Sequence, residues 1–107
     1  VSREWKLYWQ DMLESSQRIM RYTEGMDADR FRNDEKTRDA VLRNLEVIGE
    51  AARRLPAEVR VKHPAIDWRR ITGFRGIIVH AYFGIDPAIL WDIVSNKVPE
   101  LWRQLEE

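Results

Sequence analysis

Asp67-Trp-Arg-Arg-Ile-Thr-Gly-Phe-Arg-Gly-Ile-Ile-Val-His-Ala-Tyr-Phe-Gly84 is the stretch on which both the fold and the candidate chemistry turn. Aspartate accepts hydrogen bonds from the first free amides of a helix, and glycine tolerates the left-handed conformation that closes one. The stretch therefore predicts one central helix of about 16 residues. Most of its interior is large and apolar, yet it carries Arg75, His80 and Tyr82. At about 100° per residue, Arg75 and Tyr82 fall within roughly 20° of each other and share a stripe. His80 lies roughly 140° from Arg75, so the two side chains meet only through the arginine's reach, a local distortion or a second subunit. Gly73 and Gly76 make the first turns adaptable or let another backbone come close.

Upstream, Trp5, Tyr8, Trp9, Met12, Leu13, Ile19 and Met20 recur at helical spacing, predicting an amphipathic helix from Arg3 to about Tyr22 that Thr23-Glu24-Gly25 ends. Gly25 to Arg32 reads as a connector with a helical turn around Phe31. A second long helix is expected from Asn33 or Asp34 to Arg54, with Val41, Leu45, Ile48, Ala52 and Leu55 on its packed stripe. Glu50 sits among the small residues of that helix and reads as a salt bridge or a solvated edge. Pro56 opens a short piece to about Val61. Downstream, Asp86-Pro87 caps and starts a helix through Ile89, Leu90, Ile93 and Val94. Pro99 cannot donate to a helical ladder, so a kink or break is expected over Ser95 to Val98, with a last segment from Pro99 to about Leu105.

No alternating run bounded by hairpin turns is present. The expected architecture is all-α, one domain over residues 1–107: a four-helix up-down bundle with a kinked or broken C-terminal helix. Five tryptophans in so short a chain exceed what one small interior needs. Most are assigned to the core, with some rings left for a second subunit.

Eighteen basic and eighteen acidic residues leave no net charge to draw the protein to nucleic acid or membrane. No apolar run approaches the roughly 20 residues of a membrane span, and the absence of cysteine fits a reducing compartment, so a soluble cytoplasmic protein is expected. Attraction for phosphate would have to be local. Between Arg53 and Arg75 seven basic residues face two acidic ones, and Arg53, Arg54, Arg69 and Arg70 are the candidate contacts to an RNA backbone. The same cluster also reads as ordinary solvated helix faces. Two histidines that are not four apart, and no carboxylate cage, give no metal site and no cofactor motif. No serine sits at a strand-to-helix elbow. What remains is Arg75, which can hold a phosphate and its developing charge, and His80, which can move a proton near neutrality. Together they suit metal-free cleavage of RNA by its own 2'-hydroxyl. A buried histidine bonded to backbone, with a salt-bridged arginine, is the structural alternative.

Arg75-Gly-Ile-Ile-Val-His80-Ala-Tyr82 resembles the signature of HEPN-domain proteins, most closely the HepT-like ribonuclease toxins. Asn44-Leu-Glu-Val-Ile-Gly-Glu-Ala-Ala52, Ile66-Asp-Trp68 and Tyr82-Phe-Gly84 also resemble that group, and the likeness spans nearly the whole chain. The resemblance implies a HEPN-type bundle that forms a homodimer, with the catalytic cleft at the subunit interface. It implies that Arg75 grips the scissile phosphate and His80 transfers protons. It also implies an MNT-domain nucleotidyltransferase antitoxin as partner, which adenylylates the tyrosine at the position of Tyr82. One departure stands out. Family members commonly carry a polar residue after the arginine, and here that residue is Gly76. A non-catalytic dimer that binds a nucleotidyltransferase or a nucleotide is the rival this departure favours.

Overall fold

The structure, a computed structural model, describes residues 4–74, 76, 78 and 86–107. The described residues are organised as α1 (Glu4–Tyr22), α2 (Ala28–Arg32), α3 (Glu35–Arg54), α4 (Ala57–Val61), α5 (Trp68–Thr72), α6 (Pro87–Asp92), a π-helical turn (Ile93–Lys97) and α7 (Val98–Glu106). None of them forms a strand. The all-α expectation therefore holds.

The caps fall where the sequence places them. Asp27, Asp34, Asp67 and Asp86 each accept a hydrogen bond from a free amide at the start of the following helix. Gly25, at φ 75°, takes the left-handed conformation beyond the end of α1, where a side chain would be strained. Val41, Leu45, Ile48, Ala52 and Leu55 are all buried, as the stripe on α3 predicts. α1 and α3 share the most extensive helix contact. Ser15 and Ser16 are fully buried on α1, and Gly49, Ala51 and Ala52 are buried on α3. Small side chains at such positions let two helix backbones approach closely.

Two contacts fix the direction of packing. Arg54 at the end of α3 lies over the ring of Tyr8 near the start of α1, and Trp9 Nε1 donates to the Leu105 carbonyl at the end of α7. Both α3 and α7 thus run opposite to α1, as an up-down bundle requires.

Two elements differ in detail from the expected ones. The central helix begins at Trp68 as predicted but is interrupted at Gly73. There one amide donates to both Arg69 and Arg70 carbonyls at 3.1 Å, and Gly76 N–H reaches back to the Gly73 carbonyl at 3.0 Å. Three-residue closures of this kind tighten the helix into a turn. Phe74, Gly76 and Ile78 are helical again, and the predicted end at Gly84 lies outside the described residues. In the C-terminal segment the expected interruption takes the form of a π-helical turn. Val98 N–H bonds to the Ile93 carbonyl, five residues back, so the chain stays helical up to a proline that cannot donate.

None of the five tryptophans is fully buried. Trp5, Trp9, Trp68 and Trp91 pack partly buried against the core, and Trp102 is half-buried. The fully buried positions go to Phe31, Phe74, Met12 and smaller aliphatics. Indole rings are too large for so slim a bundle and sit at its rim.

Candidate functional site

Arg75, His80 and Tyr82 lie outside the described residues, and the structure establishes how the chain is held on the approach to them. Asp67 caps α5 by accepting from Arg70 N–H at 3.1 Å. Trp68 Nε1 donates to the carbonyls of Arg60 at 3.0 Å and His63 at 3.1 Å, tying α5 to the end of α4. The Trp68 ring lies 6.2 Å from that of Trp9, which in turn stacks on His63 at 4.6 Å. Ile71 and Phe74 are buried, and Ile78 packs against the same core. Phe74 and Ile78 are four apart, so they mark the inner face of this segment. Gly76 is exposed, and a Cβ added there would meet no atom within 4 Å. Its lack of a side chain is not imposed by packing among the described residues.

The four candidate RNA-contacting arginines are all exposed. Three have carboxylate neighbours: Arg53 at 3.5 Å and Arg54 at 3.1 Å from Glu50, and Arg70 at 3.6 Å from Asp67. Glu50 is therefore the solvated ion-pair residue that one of its two readings expects. Arg69 makes no ion pair among the described residues. Exposed pairs of this type contribute on the order of 0–1 kcal/mol, too little to hold the guanidinium groups from a phosphate. The hydroxyl of Tyr8 and then Glu50 raise the Arg54 pKa above its ordinary value, which changes nothing near neutrality because arginine is charged there in any case.

A small cavity of about 40 Å³ adjoins Phe74, the residue before Arg75. It brings Arg70 of α5 together with Lys97 of the π-helical turn, along with Glu100 and Gln104 of α7. Gln104 Nε2 bonds to the Ala65 carbonyl at 2.9 Å and so fastens α7 to the loop before α5. Sequence reasoning missed Lys97, because nothing along the chain signals that it meets Arg70. Among the described residues no group of three or more metal-ligating side chains forms a site, and no helix is long and apolar enough to cross a membrane.

The family described as Ribonuclease HepT-like matches residues 12–107, a span that contains the whole arginine-to-tyrosine motif. The chain belongs to the HepT-like ribonuclease family. "Putative RNase MJ0127" of Methanocaldococcus jannaschii is 44% identical over 97 residues, which cover 91% of this chain and 80% of that protein. "Probable ribonuclease HepT" of Thermococcus cleftensis is 36% identical over 107 residues, 100% of this chain and 97% of the relative. No solved structure matches significantly. Membership agrees with the all-helical architecture and identifies this HEPN domain as that of a ribonuclease family.

Proposed function

We propose that the chain is a metal-independent endoribonuclease toxin, acting as a homodimer and paired with an MNT-domain nucleotidyltransferase antitoxin. The observation that carries this reading is the family match across residues 12–107, which includes Arg75, His80 and Tyr82. In the reaction, the substrate's 2'-oxygen forms a bond to phosphorus and the bond from phosphorus to the 5'-oxygen breaks. His80 of one copy takes the 2'-proton, and the second copy's histidine protonates the departing 5'-oxygen. Arg75 holds the phosphate and stabilises the charge that builds on its oxygens. The products are a 2',3'-cyclic phosphate and a free 5'-hydroxyl. Two copies also answer the angular separation of Arg75 and His80 on one helix, since one subunit's arginine then works with its partner's histidine.

Tyr82 shares the Arg75 stripe, so a nucleotide transferred to its hydroxyl sets a negative phosphate beside the guanidinium and a bulky base in the RNA path. Silencing then needs no bound antitoxin. The second reading, a non-catalytic dimer that binds a nucleotidyltransferase or nucleotide, is favoured by Gly76, which stands exposed where the family resemblance expects a polar side chain.

Expression of the chain alone tests the toxin reading. It should arrest growth, and Arg75→Ala should relieve the arrest at equal protein level; growth unaffected by the wild type selects the non-catalytic dimer. Intact mass after incubation with the antitoxin, ATP and magnesium tests the regulation. An adenylate-sized increment absent from Tyr82→Phe supports it, and an increment that persists in Tyr82→Phe removes Tyr82 from the mechanism.

A further inference from the structure

On the outer side of the α1 and α3 pair lies a groove of about 270 Å³ that the proposed reaction does not use. Its size falls just under the roughly 300 Å³ lower end of small-molecule sites, which suits a single ring system. Val47 and Ala51 form an aliphatic lining, and the half-buried ring of Tyr8 stands beside them. The Arg54 guanidinium lies 5.9 Å from the centre of that ring, with its Nε fixed by Glu50 at 3.1 Å. Asp11 from α1 and Glu46 from α3 complete the lining, and neither has a hydrogen bond or ion pair among the described residues. The groove thus combines a stacking surface, apolar walls and two uncommitted carboxylates supplied by different helices.

We infer that this groove reads guanine, binding the base of a guanine nucleotide or of a guanosine within RNA. An ionised carboxylate can only accept hydrogen bonds. Guanine alone among the RNA bases presents two adjacent donors, N1–H and the N2 amine, spaced to meet the two oxygens of one carboxylate. Adenine and cytosine place an acceptor nitrogen beside their amine, and uracil flanks its N3–H with carbonyls, so a carboxylate repels part of each edge. Tyr8 and the Arg54 guanidinium supply the flat surfaces on which an RNA base stacks. Arg43, at the rim and without a partner among the described residues, meets the attached phosphate. For its RNA source the inference rests on the ribonuclease reading, but base binding requires no cleavage.

The test is a titration of the full chain with GMP, AMP, CMP and UMP, followed by amide chemical shifts. In parallel, short adenine-uracil strands with and without one guanine are titrated. GMP should bind about tenfold or more tighter than the other three, with shifts centred on Tyr8, Glu46 and Arg54. Glu46→Gln, which keeps the shape at an exposed position, should abolish the preference, and Tyr8→Ala should weaken GMP. A preference seen only in the strands assigns the groove to RNA, and one seen only with mononucleotides assigns it to free nucleotide. Equal binding of all four bases, no binding in either format, or a guanine preference that survives Glu46→Gln overturns the inference. Because no step is read as cleavage, failure here leaves the ribonuclease reading standing, and loss of cleavage leaves this one standing.

Discussion

Replacing Gly76 with alanine should stabilise the protein. The residue is helical, exposed and without positive φ, and a Cβ built on it meets nothing within 4 Å. Glycine inside a helix costs roughly 0.5–1 kcal/mol relative to alanine, mostly through the greater freedom of the unfolded chain. For a domain of this size each kcal/mol moves the melting temperature by roughly 4–8 °C, so Gly76→Ala should raise Tm by about 2–8 °C. Gly73→Ala is the internal contrast. Its Cβ would stand 3.2 Å from the carbonyl oxygens of both Arg69 and Arg70, so those backbone groups must yield and the gain should vanish or reverse. Thermal unfolding followed by far-UV circular dichroism measures both. A Tm for Gly76→Ala at or below wild type refutes the reasoning. It would mean that the position is covered by something outside the described residues, and a loss that deepens with protein concentration would identify that cover as a second copy.

Three further outcomes follow from particular contacts. Trp68→Phe removes the indole N–H that serves the Arg60 and His63 carbonyls, and should cost about 1–3 kcal/mol by chemical denaturation. Ser15→Ala should stabilise by about 1 kcal/mol, since its fully buried hydroxyl has no partner among the described residues, whereas Ser16→Ala loses a 2.8 Å bond to the Met12 carbonyl and should not. The backbone amide of Thr37, and then its hydroxyl, hold the Asp34 carboxyl below the usual carboxylate range. A lowered folded-state pKa stabilises above the unfolded value and is lost as pH falls through the folded one. The Tm gap between wild type and Asp34→Ala should therefore be open at neutral pH and narrow under acid.

Helix existence and boundaries were legible wherever a local rule governs them. The aspartate caps at 27, 34, 67 and 86, the glycine after α1 and the apolar stripe on α3 all act within one or two turns of chain, and all are found. The π-helical turn was not legible in form. Pro99 announces a disturbed ladder, but whether the chain breaks or widens depends on keeping Val94, Val98 and Leu101 buried, which is a matter of packing. The tryptophans were placed too deep for the same kind of reason, since composition counts rings without measuring the room between helices. Of the candidate site, the arginine, histidine and tyrosine stand out in sequence because polar groups in an apolar run are costly to bury. The meeting of Arg70 with Lys97 near Phe74 and the groove beside Tyr8 join residues far apart in the chain, and no spacing rule reaches them.

The central claim is that Arg75 and His80 cut RNA without a metal. Purified chain, free of any partner, should be incubated with RNA in excess chelator and the product ends analysed. The account predicts cleavage that leaves 2',3'-cyclic phosphates, with Arg75→Ala and His80→Ala each slower by about 100-fold or more while their helical spectra match wild type. RNA left intact by the wild type, or cleaved as fast by His80→Ala, would contradict it.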